Sequence, residues 1–291
     1  MIKCKECSSS NTVKINTYKR FWYFCKDCGS AHPQQKSFYP LSFLPVKHYK
    51  NSADSEASMY DYFTAQVHID YSKETADEFI RDYVEPWGIE IKGKKILDVS
   101  GGNGHFLKKF QDMGAEVSIT EINQPTIDYI KKEHDMDVYL YDFNKHRINE
   151  VTQEKYDIVM LRAAIMFCKD LKQLAEDLRD ILNPGGIVII NHSVIPTLGV
   201  INRVQLDEFS YFALRHPDAV VKTFETNDYE TLNRKDETDP SLYVYDHDLK
   251  FSWRFTHYLY QWIGLHALRK ARVFGFPARD RRRSTMMFKL K

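Results

Sequence analysis

Two rhythms of apolar and polar positions alternate between residues 94 and 191. KKILDV (94–99), EVSIT (116–120), DVYLY (137–141), YDIVML (156–161) and GIVIIN (186–191) are short apolar runs of strand length. Between them the apolar period lengthens to that of a helix. Phe106, Leu107, Phe110 and Met113 share one helical face, which Gly114 stops. Asn123 opens a second helix with Pro125 in its first turn, and Leu171, Leu174, Leu178 and Ile181 form the stripe of a third. Asn183-Pro184-Gly185-Gly186 then turns the chain into its last run. Strand and helix alternating at this pitch predict an α/β fold: a doubly wound, mostly parallel sheet covered on both faces. Upstream, residues 59–85 read as mainly helical and are ended by Pro86-Trp87-Gly88. Residues 30–58, carrying Pro33, Pro40 and Pro45, read as a linker.

The chain has 291 residues and 43% hydrophobic content, enough for one large domain with a buried core and a small module beside it. Lysine and arginine number 41 against 40 acids, so no global field draws the protein to nucleic acid or anionic lipid. The first residues hold no apolar leader and no run reaches the length of a membrane span, which predicts a soluble, cytoplasmic protein without a membrane partner. Aromatics make up 14% of the chain and crowd the segments on either side of the glycine-rich centre, where such rings form ligand walls or ordinary packing.

Cys4-Lys5-Glu6-Cys7 and Cys25-Lys26-Asp27-Cys28 are two C-x-x-C pairs separated by 17 residues. That spacing suits a four-cysteine zinc site, each pair giving two thiolates from one tight knuckle. The residues between them alternate well enough for a short hairpin, so residues 1–35 resemble a zinc ribbon. A closed tetrahedral shell makes such zinc structural rather than catalytic. A redox C-x-x-C or unrelated thiols are the other readings, and Cys168 stands apart as a small core residue.

The stretch ILDVSGGNGHF (96–106) joins the first strand of the alternating region to its first helix. In doubly wound sheets ligands sit beyond the carboxyl ends of the strands, and Gly101, Gly102 and Gly104 let the backbone approach one there. A nicotinamide fingerprint would need a third glycine where Leu107 stands. A phosphate loop would need Lys-Ser or Lys-Thr where His105-Phe106 stands. An acid at the strand end, Asp98, suits a cationic ligand instead. Glu121 ends the second strand, where a carboxylate can accept both hydroxyls of a ribose, and Asp142 follows the third, placed to meet an adenine amino group. Singly, each of these residues can be only a turn, a solvated strand end or a cap.

Together they resemble the class I S-adenosylmethionine-dependent methyltransferases. The likeness rests on D-x-S-G-G-x-G at 98–104, Glu121, Asp142, Tyr156-Asp157 and N-P-G-G at 183–186. It implies a seven-stranded, Rossmann-like sheet over residues 91–291, with residues 36–90 as linker and N-terminal helices. Asp98 would lie near the methionine amino group, Ser100, Gly101, Gly102 and Gly104 beside the methionine, Glu121 on the ribose, and Asp142 with Phe143 around the adenine. Ser100 stands where the family usually has its first glycine. The family's closing helix corresponds to 253–271 and its closing antiparallel pair to RVFGFPARD with STMMFKLK. That leaves 192–252 as an insertion capping the substrate pocket. Its segment LDEFSYF (206–212) is distantly similar to an element of zinc-ribbon-fronted methyltransferases of deoxysugars and other small metabolites, with Glu208 where those relatives have a histidine.

The expected reaction is methyl transfer to a hydroxyl or amino group of a small, possibly sugar-linked acceptor. His192, just beyond the fifth strand, and Glu208 are the candidate bases. Arg162, ending the fourth strand, suits either an acidic group on substrate or cofactor or a structural ion pair. Two rival readings stand beside this one. RNA would be the substrate if Arg269, Lys270, Arg272, Arg279, Arg281, Arg282 and Arg283 form a basic tail, although Asp280 interrupts it. The third reading is a non-catalytic cofactor-binding docking protein.

Overall fold

The structure is a computed structural model that describes residues 2–16, 21–33, 60–194, 215–236 and 283–291. At the front, β1 (Thr12–Asn16), β2 (Phe21–Cys25) and β3 (Ala31–Pro33) form a small antiparallel sheet with β2 in the middle. Then come α1 (Gln66–Phe79), continued by a π-helical turn Ile80–Val84, and the alternating region. It runs β4 (Lys95–Val99), α2 (His105–Asp112), β5 (Glu116–Glu121), α3 (Gln124–Glu133), β6 (Asp137–Leu140), β7 (Tyr156–Arg162), α4 (Leu171–Ile181) and β8 (Leu182–Val194). Helix α5 (Pro217–Glu225), β9 (Tyr229–Asp236) and β10 (Arg283–Leu290) complete it.

The large sheet has seven strands in the order β6-β5-β4-β7-β8-β10-β9. Strands β4 to β8 pair in parallel, and β10 runs antiparallel to both its neighbours. The doubly wound, mostly parallel sheet expected from the apolar rhythm is therefore present. Strand order reverses between β4 and β7, which is where such sheets open a crevice. The period of two along each strand feeds two cores. Leu97, Val99, Val159, Leu161, Val188 and Ile190 face α4 and α5. Ile96, Ile158, Met160 and Ile189 face the other way, with Phe79 of α1 and Phe106 and Phe110 of α2. Asp98 and Arg162 share the parity of this second set, so their side chains emerge on the same face of neighbouring strands.

Three sequence expectations change. The stretch 192–252 is not wholly an insertion, because α5 and β9 within it belong to the main fold. The antiparallel neighbours of STMMFKLK are β9 on one side and β8 on the other, and RVFGFPARD lies outside the described residues. Strand β9 carries little apolar signal in the sequence, because YETLNRKD holds few apolar residues. As the sheet's edge strand it has only one neighbour, and Tyr229 alone of its residues is deeply buried. The expected turn at Asn183-Pro184-Gly185-Gly186 survives as a bulge inside β8. Leu182 pairs with Tyr156 and Ile187 with Ile158, so the four residues are looped out between two ladder points. The helix expected at 253–271, the segment 206–212 and the arginines from 269 to 282 lie outside the described residues, and Arg283 is the first residue of β10.

Candidate functional site

The tips of β4, β5, β6 and β7 meet around the glycine turn. Leaving β4, the chain adopts a positive φ at Ser100 (62°), Gly102 (67°) and Gly104 (79°) before α2 begins at His105. The Ser100 amide donates to Thr120 Oγ1 (3.1 Å) and the Gly101 amide to the Thr120 carbonyl (3.2 Å), fastening the turn to β5. Gly101 has an ordinary φ, and its need for glycine is steric. A Cβ there would lie 2.6 Å from Ile119 Cδ1 and 2.9 Å from Asp98 Oδ2. At Gly104 both constraints act, since a Cβ would also come within 2.9 Å of His134.

Asp98 is wholly buried. Its Oδ2 accepts from Arg162 Nε (2.9 Å) and Nη2 (2.7 Å), and the same guanidinium donates to the Gly101 carbonyl at 3.2 Å. The guanidinium carbon also lies 3.5 Å from the centre of the Phe106 ring. Arg162 is thus held in a buried ion pair with Asp98. Burial pushes the Asp98 carboxyl above the usual range while Arg162 pulls it back. Its other oxygen, Oδ1, is buried with no hydrogen-bond partner among the described residues. An acceptor orphaned in this way costs free energy unless a donor arrives.

Glu121 is buried at the tip of β5. Its Oε1 accepts from the amides of Ile122 (2.7 Å) and Asn123 (3.2 Å), and the carboxylate also takes a bond from the Gly102 amide. Burial raises its pKa and these N–H groups lower it. Asp142, beyond β6, accepts from the Asn144 amide through Oδ1 (2.9 Å) and pairs with Lys145 Nζ through Oδ2 (3.1 Å). Phe143 packs edge-on against Tyr141 with centroids 6.4 Å apart. The structure thus brings Asp98, Ser100, Gly101, Gly102, Gly104, Glu121, Asp142 and Arg162 to one rim. His192 lies in β8 two residues from its end, but its side chain is outside the described residues, as is all of Glu208.

Several rim residues escaped the sequence reading. Ile122, next to Glu121, is 50% exposed, an apolar surface facing outward at a strand tip. The ring of Phe63 comes within 3.1 Å of where a Gly102 Cβ would stand, and the Phe63 carbonyl accepts from Asn103 Nδ2 at 2.9 Å. The segment before α1 therefore covers the turn, and the crowding of aromatics ahead of the glycines was its one signal. Asn144 donates to the Phe167 carbonyl (3.0 Å) and accepts from the Lys169 amide (2.8 Å), tying the loop after β6 to the loop after β7. No sequence pattern marks that role.

The four front cysteines form a second centre. Cys4 and Cys28 Sγ are 3.6 Å apart, as are Cys7 and Cys25, and all four sulfurs lie within 4.8 Å of one another. Disulfide sulfurs would be about 2.05 Å apart, whereas four thiolates at about 2.3 Å from one tetrahedral ion would stand about 3.8 Å from each other. The measured spacing fits the second geometry. Both knuckles turn through backbone bonds from Ser8 to Cys4 and from Gly29 to Cys25, each 3.0 Å, with Gly29 at φ 69°. Burial pushes the Cys25 thiol up to about 11, and contact with Cys4 together with burial raises Cys28 as well.

Residues 71–235, more than half of the chain, match the family described as a methyltransferase domain. The chain belongs to the methyltransferase-domain family. Among curated proteins it is similar to the malonyl-acyl-carrier-protein O-methyltransferase of Pectobacterium atrosepticum, 25% identical over 96 residues, which are 33% of this chain and 37% of that protein. It is also similar to the bifunctional biotin-biosynthesis protein of Cellvibrio japonicus, 27% identical over 117 residues, which are 40% of this chain and 22% of that protein. The chain thus spans well under half the length of either relative. Among solved structures, the cyclase SpnF shares the fold with a TM-score of 0.50 at 14% identity, covering 75% of this chain and 80% of that one. Among the described residues of this methyltransferase-domain chain, no helix is long and apolar enough to cross a membrane.

Proposed function

We propose that the chain transfers a methyl group from S-adenosylmethionine to a hydroxyl or amino group of a small acceptor, of which a sugar-linked metabolite is our first choice. The observation that carries this reading is the orphaned Oδ1 of Asp98 beneath a turn whose Gly101 has no room for a Cβ, with Glu121 and Asp142 at the next two strand tips. A buried anionic acceptor suits an ammonium or sulfonium ligand and repels phosphate. Asp98 would take the amino group of the methionine part, Glu121 the ribose, and Ile122 with Phe143 the faces of the adenine. When bound, S-adenosylmethionine supplies a methyl carbon already activated by the positive sulfur. The chain's own work is to hold the acceptor in line with that carbon and to accept the acceptor's proton, for which His192 and Glu208 are the candidates. The likeness to an O-methyltransferase supports oxygen as the receiving atom. The cysteine cluster supports a structural zinc with a closed shell, so no catalytic step is assigned to it.

Calorimetric titration of zinc-loaded protein with S-adenosylmethionine should give a saturable heat, and its absence rejects the proposal. His192→Ala and Glu208→Ala are then compared for turnover and cofactor affinity. At least one should slow turnover about 100-fold or more with unchanged affinity. If neither does, the base lies elsewhere. RNA as acceptor is tested in the same assay by replacing the small-molecule pool with total RNA.

A further inference from the structure

The first cysteine knuckle is bonded to the sheet domain through a buried charge. Glu6 sits inside the Cys4–Cys7 knuckle, and its Oε1 accepts from Arg215 Nε (2.9 Å) and Nη2 (2.7 Å). Both side chains are buried, with 7% of Glu6 and 1% of Arg215 exposed. Arg215 also donates to the turn that follows β7: Nη1 reaches the Ile165 carbonyl (2.9 Å) and Nη2 the Cys168 carbonyl (2.7 Å). That turn leaves Arg162 through Ala163 at φ 51° and continues as the short 3-10 helix Ile165–Phe167. From its other side it is gripped by Asn144, which neighbours Asp142 and Phe143.

We propose that Glu6 is a positioning residue: through Arg215 it fixes the turn after β7, so that the metal-bound knuckle and the rim of the cofactor site form one mechanical unit. The physical basis is the asymmetry of buried charge. A buried guanidinium that bridges the Glu6 carboxylate and backbone carbonyls stays put while that carboxylate is in place. If the knuckle opens, Glu6 leaves, Arg215 loses this buried charge partner, and its hold on the carbonyls of Ile165 and Cys168 weakens. With zinc bound, the four thiolates would hold Glu6 in place, since the backbone bonds that fold the knuckle around it are short-range ones, the Cys4 amide donating to the Ser9 carbonyl and the Ser8 amide to the Cys4 carbonyl. The link to the rim rests on the proposed cofactor site, whereas the link from knuckle to turn does not.

Hydrogen exchange of the full-length, zinc-loaded protein tests both parts. In Glu6→Gln, with zinc content equal to wild type, amides of 163–170 should exchange about tenfold faster, and S-adenosylmethionine should bind about tenfold more weakly. The double variant Glu6→Gln with Arg215→Met should lose less protection than the two single changes together, since it removes both charges, and Glu6→Asp should recover part of it. Removing zinc from the wild type with a chelator should speed exchange at 163–170 as well as at 2–33, and should add nothing at 163–170 in Glu6→Gln. Unchanged exchange at 163–170 in Glu6→Gln, or a chelator effect confined to 2–33, overturns the proposal. So does a rise spread equally over β4 and β5. Should wild type bind no S-adenosylmethionine at all, the functional reading falls while the exchange result still decides the tie between knuckle and turn.

Discussion

Gly101→Ala isolates the steric demand of the site's floor. Gly101 lies outside the positive-φ region, so the substitution adds no backbone strain and its whole effect comes from where the new methyl goes. That methyl would sit 2.6 and 2.7 Å from Ile119 Cδ1 and Cγ1, and 2.9 Å from Asp98 Oδ2. Both neighbours are wholly buried, and Asp98 is pinned by Arg162, so neither is a loose end that can swing away. Overpacking of this kind costs about 1–3 kcal/mol. Against it, alanine restricts the unfolded chain and returns about 0.4–1 kcal/mol. The expected net loss is about 1–2 kcal/mol, which in a domain of this size lowers Tm by about 2–8 °C.

Because Asp98 Oδ2 is one of the displaced atoms, cofactor affinity should fall together with stability. Ile119→Val in the same chain removes Cδ1 and should restore part of both. Denaturant midpoints and calorimetric titration of the two variants measure the effects. If Gly101→Ala unfolds at the wild-type midpoint and binds with wild-type affinity, the packing under the turn is not as described, and the argument for a backbone cradle fails with it.

Ser100→Gly should act in the opposite direction: a non-glycine residue at φ 62° carries about 1–2 kcal/mol of strain and glycine returns about 0.5–1 kcal/mol as entropy, so a gain of about 0.5–1 kcal/mol is expected, and a lower denaturant midpoint contradicts it. Asp98→Asn strands the Arg162 guanidinium in a buried site and should cost about 3–5 kcal/mol in unfolding free energy, with loss of cofactor binding; a loss under about 1 kcal/mol would show that the pair is solvated. Burial holds His105 down to about 4 and His134 below its ordinary value, so the folded state binds fewer protons than the unfolded chain. Their contribution to stability is complete above the unfolded value near 6.5 and is lost as pH falls from there toward 4, so Tm should drop over that window and His105→Gln should flatten the drop.

The sheet was legible because its strands are buried on both faces. Such strands read as nearly continuous apolar runs, and β4, β7 and β8 carry that signal strongly enough to be found without knowledge of their partners, whereas β5 alternates Val117 and Ile119 with the buried polar Ser118 and Thr120. Strand β9 lacked it for the reason given by its edge position, and with β9 unseen the region from 192 to 252 looked like an insertion. The site was legible to the same depth. Asp98, Glu121 and Asp142 mark themselves by ending strands, and the glycines by their density. What each carboxylate binds was not, because partners such as Arg162 for Asp98 and the Gly102 amide for Glu121 depend on which strand tips become neighbours.

Glu6 sharpens that distinction. Its setting, C-x-E-C, reads as metal-site spacing, in which the residues between cysteines are fillers, and Arg215 itself belongs to no motif. Their pairing spans 209 positions and joins a knuckle to a turn in a different part of the chain. Sequence periodicity reports which face of an element is buried, and spacing reports which side chains can converge from one element. Neither reports a charge that two elements must bury together. A buried arginine aimed at backbone carbonyls is therefore the kind of residue that only coordinates reveal, and its effect on the site runs through the turn it holds rather than through any contact with a ligand.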